Sequence, residues 1–133
     1  MEHFDHITDD LQEFIEKQKI FFVGTATSDG LINISPKGLE SLKVIDKNRI
    51  LWMNLTGSGN ESAAHTQENP RMTLMFTSFD KKPLILRVYG EVKTIHRLDK
   101  DWDILSSYFP PSDASRQIFD LSISLVQTSC GYA

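Results

Sequence analysis

Apolar residues in this chain change their spacing from segment to segment, and the changes mark out the elements. Leu11, Phe14 and Ile15 fall on one face at helical spacing, behind Thr8 as an N-cap and Asp9 and Asp10 in the first turn, which predicts a helix over about residues 8–18. From Ile20 the order turns apolar and β-branched through Thr27, breaks at Ser28-Asp29-Gly30, and resumes from Leu31 to Ser35; this predicts a hairpin. Leu42 to Ile45 and Ile50 to Asn54 predict two more strands around Asp46-Lys47-Asn48-Arg49. A short helix, Glu61 to Glu68, ends at Asn69-Pro70, because proline disfavours a helical residue before it. Met72 to Phe79 and Leu84 to Ile95 predict strands joined by Asp80-Lys81-Lys82-Pro83, with Gly90 as a bend or bulge in the second. Asp99 to Tyr108 predicts a helix broken by Pro110-Pro111, Ser115 to Leu121 a further short helix, and Ser122 to Thr128 a last strand. The fold class is therefore mainly β with flanking helices (α+β): six to seven strands, mostly antiparallel by loop length, in a closed or partly closed barrel that forms one domain over 1–133.

Composition narrows the partners. A 133-residue chain with 40% hydrophobic residues has the size of one core. Its net charge of -4, without a Lys/Arg block, argues against nucleic acid. Cys130 is the sole cysteine, so no internal disulfide can form, which suits a reducing compartment and the cytoplasm. No stretch approaches the ~18 apolar residues of a membrane span, and the first ten residues lack the basic-then-apolar order of a signal peptide.

Two segments carry candidate chemistry. Thr56-Gly57-Ser58-Gly59-Asn60 feeds directly into a helix, whose unpaired N–H groups and positive dipole end suit a phosphate; the same residues also fit a plain N-cap with a flexible approach. Gly57, Gly59 and Ser62 imitate a dinucleotide-binding loop, but the helix is shorter than a parallel crossover needs and hairpins precede it. A P-loop lysine is absent, since Asn60-Glu61-Ser62 stands in its place. The second segment is Asn33-Ile34-Ser35-Pro36-Lys37-Gly38, a strand that ends at a proline and leaves nearby backbone groups free for a flat polar heterocycle; it reads equally as an edge strand closed by a Pro-Lys-Gly turn. His3, Asp5 and His6 lie at a chain terminus and are expected in solvent, with no metal. Trp52, Phe76, Phe79 and Tyr89 sit at strand positions and are expected in core or dimer packing, and Cys130 lacks an activating neighbour.

Ser35-Pro36-Lys37-Gly38, Ile50 to Asn54, Thr56 to Glu61, Glu68-Asn69-Pro70-Arg71 and Leu86-Arg87-Val88-Tyr89-Gly90-Glu91 resemble, in order and spacing, the pyridoxamine 5'-phosphate oxidase-related family, over roughly Ile20 to Val92. The resemblance implies a split antiparallel β-barrel that forms a homodimer and holds FMN in two symmetric clefts between subunits. It implies that Asn33, Ile34, Ser35, Pro36 and Lys37 run along the isoalloxazine and its pyrimidine edge. Thr56 would approach the ribityl chain or phosphate, and Gly57, Ser58, Asn60 and Ser62 would surround the phosphate. Members that oxidise pyridoxamine phosphate carry basic residues where Glu61 and Ser62 stand, so phosphate charge here falls to the helix N-terminus, to hydroxyls and to Arg87, which is otherwise a barrel-surface residue. Of that substrate's basic set only Lys37 is matched. Many members also continue past the position of Ala133 into a segment that covers the active site, and substrate contacts there would lie outside this sequence.

The function these expectations compose is an FMN-dependent oxidoreductase acting on an unidentified small molecule, with the redox chemistry on the cofactor and no identifiable catalytic acid or base. Two other readings share the barrel. One is a non-catalytic flavin or stress-response module; the other is a haem-handling protein with His65 or His96 as axial ligand.

Overall fold

A computed structural model describes residues 1–57 and 60–130. Its elements are β1 (Glu2–Phe4), α1 (Asp9–Lys17), β2 (Ile20–Thr25), β3 (Asn33–Gly38), a 3-10 turn (Leu39–Ser41), β4 (Leu42–Asp46), β5 (Arg49–Leu55), α2 (Asn60–Glu68), β6 (Arg71–Thr77), β7 (Leu84–His96), α3 (Trp102–Ser106) and β8 (Ser115–Cys130). The strands form one antiparallel sheet in the order β3-β2-β6-β7-β8-β5-β4, with β1 added along β8. Although β3 and β4 follow one another in the chain, they are the two ends of that order. The curled sheet thus stays open between them as a split barrel.

Alternation decides what fills it. Phe21, Trp52, Phe76 and Phe119 point inward and are fully buried, with Trp52 stacked on Phe119 at 4.5 Å and edge-on to Phe21 at 6.3 Å. Helix α1 covers this core with Leu11 and Ile15, and the Thr8 hydroxyl accepts from the Leu11 N–H as the predicted cap. A second, smaller core lies on the opposite face of β5 and β8, where Leu51, Met53, Ile95 and Ile118 receive Leu105 and Phe109 from the α3 segment. Gly90 marks the expected irregularity in β7: the register with β8 shifts between Tyr89 and Gly90, and a Cβ there would lie 2.1 Å from the Ser122 carbonyl oxygen.

The structure departs from the sequence expectations at five places. Ser115 to Leu121 is strand, continuous with the rest of β8. Its adjacent Ile118 and Phe119 are both buried because they serve opposite faces, one in each core, and such clustering imitates a helix. Strand β3 does not stop at Pro36 but continues to Gly38, which an edge position tolerates because a proline there need give up no ladder bond. The helix expected over Asp99 to Tyr108 is reduced to Trp102–Ser106, and Asp99 Oδ2 instead accepts from the His96 N–H at 2.7 Å to make a turn. The N-terminus adds a strand that the sequence reading did not include: Glu2–Phe4 pairs with β8, Glu2 opposite Thr128. Phe79 lies beyond the end of β6 and is 82% exposed, which rules out the core, the first of the two positions expected for it.

Candidate functional site

On the split side of the sheet a cleft of about 450 Å³ lies between β3 and β5. Pro36, Lys37 and Gly38 of β3 make one wall, Met53, Leu55 and Thr56 the other, and Phe109 and Pro110 lean over it from the α3 segment. Lys37 reaches across the split, its Nζ 5.8 Å from the centre of the Trp52 ring of β5. Half-burial there pushes its pKa below that of an ordinary lysine, because desolvation disfavours the ammonium.

Strand alternation divides the run from Asn33 to Lys37. Asn33, Ser35 and Lys37 turn toward the barrel interior, and Ile34 and Pro36 turn outward. Asn33 Nδ2 donates to Ser62 Oγ at 3.1 Å, and Thr25 Oγ1 donates to the same oxygen at 3.2 Å while its own oxygen lies 3.1 Å from His65 Nδ1. Ser62 is fully buried. It pins α2 to the β2–β3 hairpin from beneath and does not face the loop's surface. Ser35 Oγ is buried without a hydrogen-bond partner among the described residues, a state that costs about 1–3 kcal/mol unless water or a ligand satisfies it.

At the mouth of the cleft the Thr56 hydroxyl and N–H both donate to the Ala114 carbonyl, at 3.1 and 2.7 Å, tying the end of β5 to the segment before β8. Gly57 has φ of 140°, a conformation that only glycine takes easily. Asn60 opens α2 and its Oδ1 accepts from Arg116 Nη1 at 2.8 Å. Ser58 lies outside the described residues.

Ile34 and Arg87 are placed elsewhere, in a hollow of about 630 Å³ on the outer face of β2, β3, β6 and β7 with Phe22, Ile32, Met75 and Tyr89. Ile32 and Ile34 are 73% and 70% exposed. Arg87 Nη1 donates to Ser129 Oγ at 3.4 Å, and its neighbours Leu86 and Val88 are buried, so its guanidinium stands on the face of the sheet opposite Lys37.

Sequence reasoning missed a basic groove beside Thr56, about 650 Å³ in volume, lined by His96, Arg97, Asp113, Ser115 and Arg116. The strand register brings it together: His96 of β7 pairs with Gln117 of β8, and Gln117 also faces Asn54 of β5. The one available signal, a strand beginning at Ser115, was hidden by the helix-like cluster described above.

A family model described as pyridoxamine 5'-phosphate oxidase matches residues 7–130. The chain is 34% identical over 134 residues to the pyridoxamine 5'-phosphate oxidase family protein ustO of Aspergillus flavus, a match that covers 97% of this chain and 54% of that one. The chain thus spans about half the length of that curated relative. An FMN-binding protein of Syntrophomonas wolfei shares the fold with a TM-score of 0.69 at 14% identity, over 91% of this chain and 84% of its own. The haem storage protein HutZ of Vibrio cholerae shares it with a TM-score of 0.63 at 12% identity, over 93% and 94%.

Proposed function

Because the chain belongs to the pyridoxamine 5'-phosphate oxidase family, we propose that it binds FMN in the split between β3 and β5 and acts as an oxidoreductase, as a homodimer with the flavin near the subunit boundary. The observation that carries this reading is the juxtaposition of Lys37 and Thr56 in one cleft, with α2 opening four residues after Thr56. A flat heterocycle with an anionic tail suits such walls. Met53, Leu55 and Phe109 offer apolar contact for a ring.

When bound, FMN supplies hydride or electron transfer. The chain's own residues bind and orient. Lys37 Nζ would hold a positive charge at the ring's edge or meet an anionic substrate, Thr56 and Asn60 would contact the tail, and the α3 segment would keep water from the ring's face. Ser62 would act through Asn33, holding β3 at a fixed distance from α2. With Glu61 and Ser62 in place of basic residues, and Lys37 alone matching that substrate's basic set, pyridoxamine phosphate is not the substrate we propose.

The outer hollow supports the dimer. Its exposed isoleucines, with Arg87 and Tyr89 among them, make a mixed apolar and polar patch of the kind that isologous contacts bury.

The visible spectrum of the purified protein tests the cofactor. Twin flavin bands, or their appearance with quenched fluorescence on adding FMN, are expected. A colourless protein that ignores FMN overturns the proposal, and a Soret band would favour haem in its place. His65 speaks against its own use as a haem ligand, since its Nδ1 is engaged by Thr25 and its Nε2 lies 3.8 Å from Glu61.

A further inference from the structure

A phosphate monoester brings ~1.5–2 negative charges at neutral pH, and a helix N-terminus offers only about half a unit of positive charge. The first turn of α2 adds none, since Glu61 stands there. If the cleft holds FMN, most of the counter-charge must come from another part of the chain. Lys37 belongs to the ring end, and Arg87 points away on the opposite face of the sheet.

The basic groove meets this need. Arg97 and Arg116 come from the end of β7 and the start of β8 and line the same groove as Thr56, with His96 between them. Arg97 is held rigidly: its Nε donates to the Ser115 carbonyl at 2.8 Å and its Nη2 to the Asp113 carbonyl at 3.2 Å. Arg116 Nη1 rests on Asn60 Oδ1 at 2.8 Å, which brings its guanidinium to the first residue of α2. Among the described residues, neither arginine is ion-paired with a carboxylate, although Asp113 lines the groove as well. Two guanidinium groups fixed by neutral acceptors keep their charge and several N–H donors for an anion, and their planar forks match phosphate oxygens.

We propose that Arg97 and Arg116 grip the phosphate of the bound flavin from the β7–β8 side, replacing the basic residues that the α2 turn lacks. The inference rests on the FMN reading above. It adds two residues, from outside the β3-to-α2 region, to the binding site of that same cofactor.

The test compares FMN with riboflavin, which lacks the phosphate, by fluorescence quenching with wild-type protein, Arg116→Met, Arg116→Lys and Arg97→Met. Wild type should prefer FMN. Arg116→Met should weaken FMN about 10- to 100-fold, the loss of one charge-assisted contact, and leave riboflavin within about threefold. Arg116→Lys should fall between, since it keeps the charge and loses the fork. Arg116 is exposed, so an unchanged melting temperature is expected for its variants and shows that they are folded. An unchanged FMN-to-riboflavin ratio in Arg116→Met and Arg97→Met overturns the grip and leaves the flavin reading standing. Wild type that binds neither compound overturns the flavin reading instead. The grip is then decided with inorganic phosphate: a rise in melting temperature in wild type that both methionine variants lose retains the arginines as an anion site, and no rise, or an equal one in all, removes them.

Discussion

The cleft between β3 and β5 and the hollow on the outer face of β2, β6 and β7 are of similar size, yet they are made in different ways. The cleft exists because the sheet fails to close: one wall is β3, an end of the strand order, the other is β5, next to the opposite end, and the α3 segment roofs it. The described residues that line it come from β3 with the turn after it, β5 with Thr56, and the α3 segment of one chain. The hollow is the bare face of a well-paired sheet, and its large exposed side chains, Ile32 and Ile34, find no cover in the protomer. A strand's alternation assigns residues to one or the other. Lys37 goes to the cleft and Ile34, three positions before it, to the hollow, so a run that reads as one binding strip serves two surfaces. The proposed flavin at a subunit boundary would be the arrangement in which both surfaces meet it.

The largest expected effect separates the frame shared by both cavities from either one alone. Gly90 sits under the hollow where β7 crosses closest to β8, and an alanine Cβ would meet backbone at 2.1 Å; Gly38, in the cleft wall, has nothing within 4 Å of the same added atom. Gly90→Ala should therefore destabilise by about 3 kcal/mol or more, as overpacking against unyielding backbone does, and Gly38→Ala by less than about 1 kcal/mol. Urea denaturation of both variants measures the difference, and equal midpoints would mean that β7 and β8 do not approach as closely as described.

Next in size is the effect of charging the hollow. Ile34→Arg places a cation in each of two symmetric patches that would face one another, and like charges buried in a contact cost several kcal/mol. Sedimentation at micromolar concentration should give twice the chain mass for wild type and the single mass for Ile34→Arg, with FMN affinity falling about 100-fold in step. Full FMN occupancy in a strictly monomeric protein would separate the two cavities functionally and leave the cleft complete on its own.

Much of this was legible in the sequence, for identifiable reasons. The hairpins, the capped helix α1 and the Asn69-Pro70 break rest on local signals, and the structure has each of them. The β3-to-α2 motifs led to the cleft because the residues concerned are near one another in the chain. Arg97 and Arg116 had no such signal: they meet the start of α2 only through the register of β7, β8 and β5, a long-range fact that no local window holds. Ser62 and Arg87 were named from motif position, and only burial and alternation reveal that one is a post beneath the loop and the other lies across the sheet.

A smaller effect sharpens the comparison at the mouth of the cleft. Asn60→Asp keeps the size of the side chain and sets a carboxylate where a phosphate is proposed, and that carboxylate would also pair with Arg116, now bonded to the amide oxygen. Asn60→Ala removes only the neutral contact. FMN titrations should show Asn60→Asp weakened about tenfold or more and Asn60→Ala about two- to threefold; equal affinities would put Asn60 away from the phosphate.

The smallest effect concerns the ring end. Lys37 bridges the split above Trp52, and an ammonium near the proposed ring would favour negative charge on reduced FMN and raise its potential. Two unit charges about 6 Å apart at an effective dielectric of about 20 interact by roughly 3 kcal/mol. Solvent screening of this half-exposed group lowers the interaction to about 1 kcal/mol or less, and since 30 mV is about 1.4 kcal/mol for two electrons, the midpoint potential of bound FMN should fall by about 10–20 mV in Lys37→Met. The methionine keeps the aliphatic stem against Trp52, so folding and dimer mass should not change, in contrast to Ile34→Arg. The pH dependence carries the sign of the lysine's environment. Burial lowers its pKa from the ordinary 10.5, so the proton is lost at a lower pH than in an exposed lysine, and the gap between wild type and variant should close as pH rises toward that value from below. A potential that is the same in both proteins at neutral pH would leave Lys37 a packing partner of Trp52 and the cleft to neutral contacts alone.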